Sequence, residues 1–217
     1  MNTTPPQLPF EEIQCLLIDL DDTLYPQASG AWDLVGKRID QFLIKELHFP
    51  PEEVTALRSR LWRQYGTTLR GLQIEYEVDM DHYLRYVHDV PFENFLSPDP
   101  DLDRMLRNLP QRKVIFTNAS ADHAHRVINL LGVQGHFEQI IDIYTIHPHC
   151  KPEVEAFHTA LSIVNENPQA CLLVDDTPAN LETAKSLGMA TVSIGRHHHD
   201  GSPHIPHIIN LSNLLLT

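Results

Sequence analysis

Four short apolar runs, most of them closed by a polar residue, constrain this chain more than any other feature. They are Cys15 to Ile18 before Asp19, Val114 to Phe116 before Thr117, Ile140 to Ile143, and Cys171 to Val174 before Asp175. A fifth run, Ala190 to Ile194, follows Gly188. Runs without polar alternation suit strands buried on both faces, as in a parallel sheet. Helical patterns lie between them. Ser120 is placed to cap a helix with Ala124, Val127, Ile128 and Leu131 on one face and Gly132 as its stop. Thr177-Pro178 opens another, with Leu181, Ala184 and Leu187 leading to Gly188. Strands alternating with helices predict a doubly wound α/β domain, with its crevice at the carboxyl ends of the strands.

One segment breaks the alternation. Roughly ninety residues separate the first two runs, against about thirty in an ordinary βαβ unit. Trp32, Val35, Ile39 and Phe42 form one helical stripe; Val54, Leu57, Leu61 and Tyr65 form another. Asp79 precedes Met80, Tyr83, Leu84 and Val87, and Asp99-Pro100 opens a crossover helix with Leu102, Met105 and Leu106 inward. Residues 25–97 therefore read as a small helical domain inserted above the active end of the sheet. Residues 1–24 and 98–217 form the α/β core. Within the insert, Thr67 to Leu72 reads as a polar, Gly-bounded turn. It is either an ordinary connection or a loop dipping toward a substrate.

Composition narrows the function. The formal charge of −13 repels phosphate backbones and argues against polynucleotide binding. A small anionic substrate stays open, because a bound dication reverses the local field. Cys15, Cys150 and Cys171 lack zinc-type spacing and read as buried free thiols in a reducing compartment. Met1 to Phe10 lacks a signal-peptide pattern, and no apolar stretch is long enough to span a bilayer. The expected location is the cytoplasm, without a membrane partner.

The polar residues closing the runs carry the chemistry. Asp19 and Asp21 are carboxylates at i and i+2 after a buried strand; one can attack while the other handles protons if their environments differ. Thr117-Asn118 precedes a helix, where a hydroxyl and backbone amides could hold a phosphate oxygen. Lys151-Pro152 also precedes a helix. Asp175 and Asp176 are adjacent carboxylates that need a cation or proton between them. Each feature alone has a plain reading as a loop, a cap or a solvated lysine.

In this order the four resemble the motifs of the haloacid dehalogenase superfamily: Asp-x-Asp-x-Thr at Asp19 to Thr23, then Thr117, Lys151 and the Asp175-Asp176 pair. The resemblance covers nearly the whole chain from about residue 13. It implies a Rossmann-like core with a helical cap of the type inserted after the first strand. It also implies a Mg²⁺-dependent phosphohydrolase with Asp19 as nucleophile and Asp21 as general acid and base. Thr117 and Lys151 would hold phosphoryl oxygens. Asp19, Asp176 and the Asp21 carbonyl would ligate Mg²⁺, with Asp175 acting through water. Asp22 stands where Gly or Asn is commoner and takes no catalytic role.

Finer similarity is to the pyrimidine 5′-nucleotidase branch. It lies in Asp19 to Pro26 with Gly30, Tyr65 to Leu72, Phe116-Thr117-Asn118 with His123 and Arg126, Cys150-Lys151-Pro152, and Val174-Asp175-Asp176 with Asn180. It implies UMP or CMP as substrate, with Asn118, Thr67, Thr68 and Arg70 in binding and Tyr25 flanking the entrance. Rival readings are a phosphatase for a sugar phosphate or phosphoglycolate, a phosphomutase, a dehalogenase and a non-catalytic binding module. His123 and His125 read as surface or supporting residues rather than catalytic ones. Trp32, Tyr65 and Tyr83 read as core. His147-Pro148-His149 and His197 to His199 read as loops without a second metal.

Overall fold

The computed structural model describes residues 12–195 and 202–215. The expectations for Met1 to Phe10 and for His197 to His199 lie outside these residues.

The first run forms β1 (Cys15–Ile18), with every residue buried. It is flanked on both sides by parallel partners, β2 (Arg112–Phe116) and β4 (Cys171–Asp175). The outer strands are β3 (Gln139–Ile141), β5 (Ala190–Ile194) and the two-residue β6 (His204–Ile205). The sheet order is β3-β2-β1-β4-β5-β6, and all pairs are parallel. A central strand packed on both faces loses all contact with water. Each fully buried Leu or Ile there contributes roughly 1.5–3 kcal/mol, so the lack of alternation has its energetic reason.

The sheet winds one way from β1 to β3 and the other way from β4 to β6. Its direction reverses between β1 and β4, which opens a crevice at their carboxyl ends. The register aligns that edge. Ile18 pairs with Ile115 and with Val174, so Asp19, Phe116 and Asp175 stand level.

The segment between β1 and β2 holds α1 (Ala31–Lys45), α2 (Pro51–Tyr65), α3 (Thr68–Tyr76) and α4 (Met80–His88), then the crossover helix α5 (Pro100–Asn108). The expected stripes are the packed faces: Val35, Ile39 and Phe42 on α1, Val54 and Leu61 on α2, and Tyr83, Leu84 and Val87 on α4. Asp79 and Asp99, read as preceding and opening these helices, cap them by accepting from His82 N and from Asp101 and Leu102 N. Among the described residues no helix is long and apolar enough to cross a membrane.

The remaining helices are α6 (Ala121–Leu130), α7 (Ile143–Ile146), α8 (Val154–Val164), α9 (Pro178–Ser186) and α10 (Leu211–Leu215). Ser120 caps α6 as expected.

Three local readings are corrected. The run Ile140 to Ile143 is not one strand: β3 ends at Ile141, and Asp142 caps α7 by accepting from Thr145 N. Thr67 to Leu72 is not a loop. Thr67 Oγ1 accepts from Arg70 N, and α3 starts at Thr68. Gly71 lies inside that helix because a Cβ there would come 2.7 Å from Leu61 Cδ2, so its absence lets α2 and α3 approach. Thr177 occupies the cap position of α9, but its hydroxyl turns to Asp176 Oδ1 at 3.2 Å and makes no cap bond.

Candidate active site

The site is built from strand ends. Asp19 N donates to the Val174 carbonyl, which carries the β1–β4 ladder one residue past the strand. The chain then turns tightly, with Leu24 N donating to Leu20 O. Asp22 takes φ 57 in that turn. This is the left-handed region that Gly, Asn and Asp tolerate best, which accounts for the residue types found there. The turn brings both Asp19 and Asp21 to a cleft of about 350 Å³.

Lys151 is buried at the floor. Its Nζ donates to Asp19 Oδ1 and Asp175 Oδ2 at 2.8 Å each and to the Phe116 carbonyl at 2.7 Å. Its loop is clasped by Asn118, whose Nδ2 donates to Lys151 O and whose Oδ1 accepts from Lys151 N. The Asn118 side chain is thus committed to placing Lys151. Thr117, 2% exposed, borders the same cleft and accepts from Ala119 N.

Asp175 is completely buried, and its oxygens accept from Thr177 N, Asn180 Nδ2 and Lys151 Nζ. Asp176 is half-buried and accepts from the Thr177 hydroxyl. Carboxylate oxygens of Asp19, Asp175 and Asp176 lie within 4.8 Å of one another.

Electrostatics follow from this crowding. Burial pushes Asp19 well above the usual carboxylate range; Lys151 opposes the shift, and Asp175 and Asp176 add to it. Burial and Asp175 raise Asp176 to about 6. Burial, Asp176 and Asp21 raise Asp22 to about 7. The site is short of positive charge. Its donors there are all oxygen, which suits a hard dication with few protein ligands. Asp21 differs. Burial alone would raise it, but the charge and hydrogen bond of His123 and the Tyr25 hydroxyl outweigh burial and hold it below the ordinary value. His123 Nε2 lies 2.8 Å from Asp21 Oδ1, and Tyr25 donates to the same oxygen at 2.6 Å.

The helical segment supplies the opposite wall. Trp32, Val35, Ile39, Arg58, Trp62, Thr67, Thr68, Leu69, Tyr83, Leu84, Val87 and His88 border the cleft. Trp32 and Tyr83, expected as core, therefore also face the site. Tyr65 does not; its hydroxyl pairs with Glu75. Arg70 does not border the cleft and lies 3.5 Å from Glu153. Arg58, which no sequence pattern singles out, is anchored by donating to Asp40 Oδ1 and the Gly36 carbonyl. Gly66 (φ 82) joins this wall to the floor, since a Cβ there would come 2.6 Å from Pro152 Cδ.

All three cysteines are buried and free. Burial and Glu153 push the Cys150 thiol up to about 12 despite its place beside Lys151, which disfavours the thiolate. His149 lies in a turn after α7 and pairs with Glu153.

The chain belongs to the haloacid dehalogenase-like hydrolase family, whose pattern it matches over residues 13–188. Phosphate metabolism protein 8 of Saccharomyces cerevisiae is 28% identical over 205 residues, 87% of this chain and 64% of the yeast protein. The chain thus spans less than two thirds of that relative. Phosphoglycolate phosphatase of Aquifex aeolicus is 25% identical over 190 residues, 82% of this chain and 83% of that one. The solved structure of L-2-haloacid dehalogenase from Xanthobacter autotrophicus shares the fold at a TM-score of 0.59 and 16% identity, over 94% of this chain and 98% of that chain. Phosphatases and dehalogenases both stand among the similar proteins.

Proposed function

We propose that this protein is a Mg²⁺-dependent phosphomonoester hydrolase that works through an aspartyl-phosphate on Asp19, with pyrimidine nucleoside 5′-monophosphates of the UMP and CMP type as preferred substrates. The observation that carries the reaction type is the acidic cluster of Asp19, Asp175 and Asp176 with Lys151 between two of its members. A dehalogenase attacking carbon would leave Asp21 and Asp176 without a task.

Asp19 and Asp176 side chains and the Asp21 carbonyl would hold the metal. Asp175, whose oxygens are already taken by three protein groups, would act through water. Bound Mg²⁺ would neutralise phosphoryl charge and keep Asp19 ionised. The chain's own residues do the rest. An Asp19 oxygen bonds to phosphorus as the ester P–O bond breaks. The leaving oxygen takes a proton from Asp21. Asp21 then takes a proton from the water that attacks the aspartyl-phosphate, releasing inorganic phosphate and restoring Asp19. Lys151 and Thr117 border the cleft where the phosphoryl oxygens would lie.

Support for a nucleotide comes from the opposite wall. Trp32, Trp62 and Tyr83 offer flat apolar surface for a ring, and Thr67, Thr68 and Arg58 offer polar contacts. The partner is a small phosphorylated metabolite, and the cytoplasm remains the proposed location.

Phosphate release from a panel of phosphomonoesters, with and without Mg²⁺, tests this. Turnover should need the metal, and UMP and CMP should lead. Sugar phosphates or phosphoglycolate ranking above nucleotides would remove the nucleotide part. Wild-type turnover by Asp19→Asn would remove the mechanism.

A further inference from the structure

We propose that His123, backed by His88 from the helical segment, is a positioning residue that fixes which oxygen of Asp21 carries the transferred proton. The proposal rests on the reading of Asp21 as general acid.

Two donors meet on one oxygen. His123 Nε2 lies 2.8 Å from Asp21 Oδ1, and the Tyr25 hydroxyl donates to the same atom at 2.6 Å. Nε2 must carry hydrogen, because a carboxylate only accepts. Oδ2 takes no hydrogen bond from the described residues, and Asp21 borders the cleft. An oxygen accepting two hydrogen bonds is a poor place for a proton, which is left for Oδ2. Oδ1 still accepts when Oδ2 is protonated, so the two contacts can persist through both the acid and the base step and keep the proton's place fixed.

The clamp needs a fixed ring. The His123 side chain is fully buried. Its Nδ1 has no protein partner among the described residues, so hydrogen bonds on the far side do not orient it. Packing does. The His88 ring stacks on it at 4.1 Å with 10° between planes, and Phe92 packs at 4.9 Å. His88 ends α4, whereas His123 sits in the first turn of α6. Arg126, one turn later, donates to the His88 carbonyl at 3.4 Å and to Glu93 at 2.8 Å. The helical segment therefore reaches the general acid through a ring stack and shares its support with the core.

The test compares kcat/KM for glycerol phosphate, an alkyl ester that needs an acid, with p-nitrophenyl phosphate, which needs it little. His123→Leu should lower the alkyl rate about tenfold or more beyond the aryl rate. His123→Gln, which keeps an N–H donor, should recover much of the difference. His88→Leu should shift the ratio the same way by about 2–3-fold. In an Asp21→Asn background, His123→Leu should add almost nothing, because the two act on one proton. If His123→Leu fails to fold, His88→Leu carries the readout through the same ring stack, and an unchanged alkyl-to-aryl ratio in that variant would overturn the proposal. Equal losses on both substrates, or losses that multiply with Asp21→Asn, would assign His123 a purely structural role. If Asp21→Asn itself strikes both substrates equally, the general-acid reading fails and takes this proposal with it.

Discussion

The two walls of the cleft obey opposite physics. The sheet side gathers Asp19, Asp21, Asp22, Asp175 and Asp176 around one lysine, with several carboxyls driven above their usual range. The helical side is mainly tryptophan and aliphatic surface, with Arg58 as an anchored cation. The first wall is electrostatically unfavourable by itself, because burial and neighbouring carboxylates oppose its charges, and bound positive charge would relieve it. The second is stable without a ligand, because its side chains also pack the segment's own core. A change in the sheet wall should therefore alter whether reaction occurs, and a change in the helical wall should alter which molecule reacts.

The largest expected effect belongs to the sheet wall. Asp19→Asn should reduce turnover on the order of 10⁴-fold or more for every substrate, read as phosphate release. Activity lost on nucleotides alone would break the division between walls.

Lys151→Met comes next. It leaves Asp19 and Asp175 without their shared cation in a buried site. Removing one partner from such a pair costs about 3–5 kcal/mol. Urea unfolding should report that loss in metal-free protein, together with loss of activity. An unchanged midpoint would mean that the carboxyls simply protonate.

Asp22 tests the excess charge directly. Its folded value of about 7 exceeds the ordinary aspartate value of roughly 4. The folded state holds the proton more tightly than the unfolded one. The stabilising contribution is therefore complete below about pH 4 and lost as pH rises through about 7. Asp22→Asn keeps a residue suited to φ 57 and removes the charge. In EDTA at pH 8 it should stabilise the fold by about 1–4 kcal/mol, with the gain fading below pH 5. A gain independent of pH would assign the effect to the turn instead.

The smallest effects belong to the helical wall. Trp62→Ala and Thr68→Ala should change the ranking of UMP and CMP against sugar phosphates by roughly 3–10-fold, about 0.7–1.4 kcal/mol, and spare p-nitrophenyl phosphate. Arg70→Ala should leave the ranking alone, since Arg70 lies off the cleft beside Glu153. A ranking moved by Arg70 but not by Trp62 would reverse the assignment of that wall.

Much of the sheet wall is legible in the sequence. Asp19, Thr117 and Asp175 each stand at the end of an apolar run, and parallel strands buried on both faces must align such ends. Caps at Asp79, Asp99 and Ser120 are legible because a cap is a contact within three residues. Thr67 reads as part of a turn because its Gly-bounded, polar surroundings carry turn chemistry. That Gly71 serves a helix crossing instead depends on Leu61 and Tyr65 of another helix.

The sequence by itself determined five of the strands and the main helices between them, the acidic floor and the presence of an insert. These follow from periodicity and from residue types at strand ends, which are local. Tertiary structure alone decided that His123 meets Asp21 across 102 positions, that His88 stacks behind it, and that Arg58 rather than Arg70 borders the cleft. A helix can turn any of several residues toward a neighbour, and the packing of whole helices selects which one, so no local pattern carries that information.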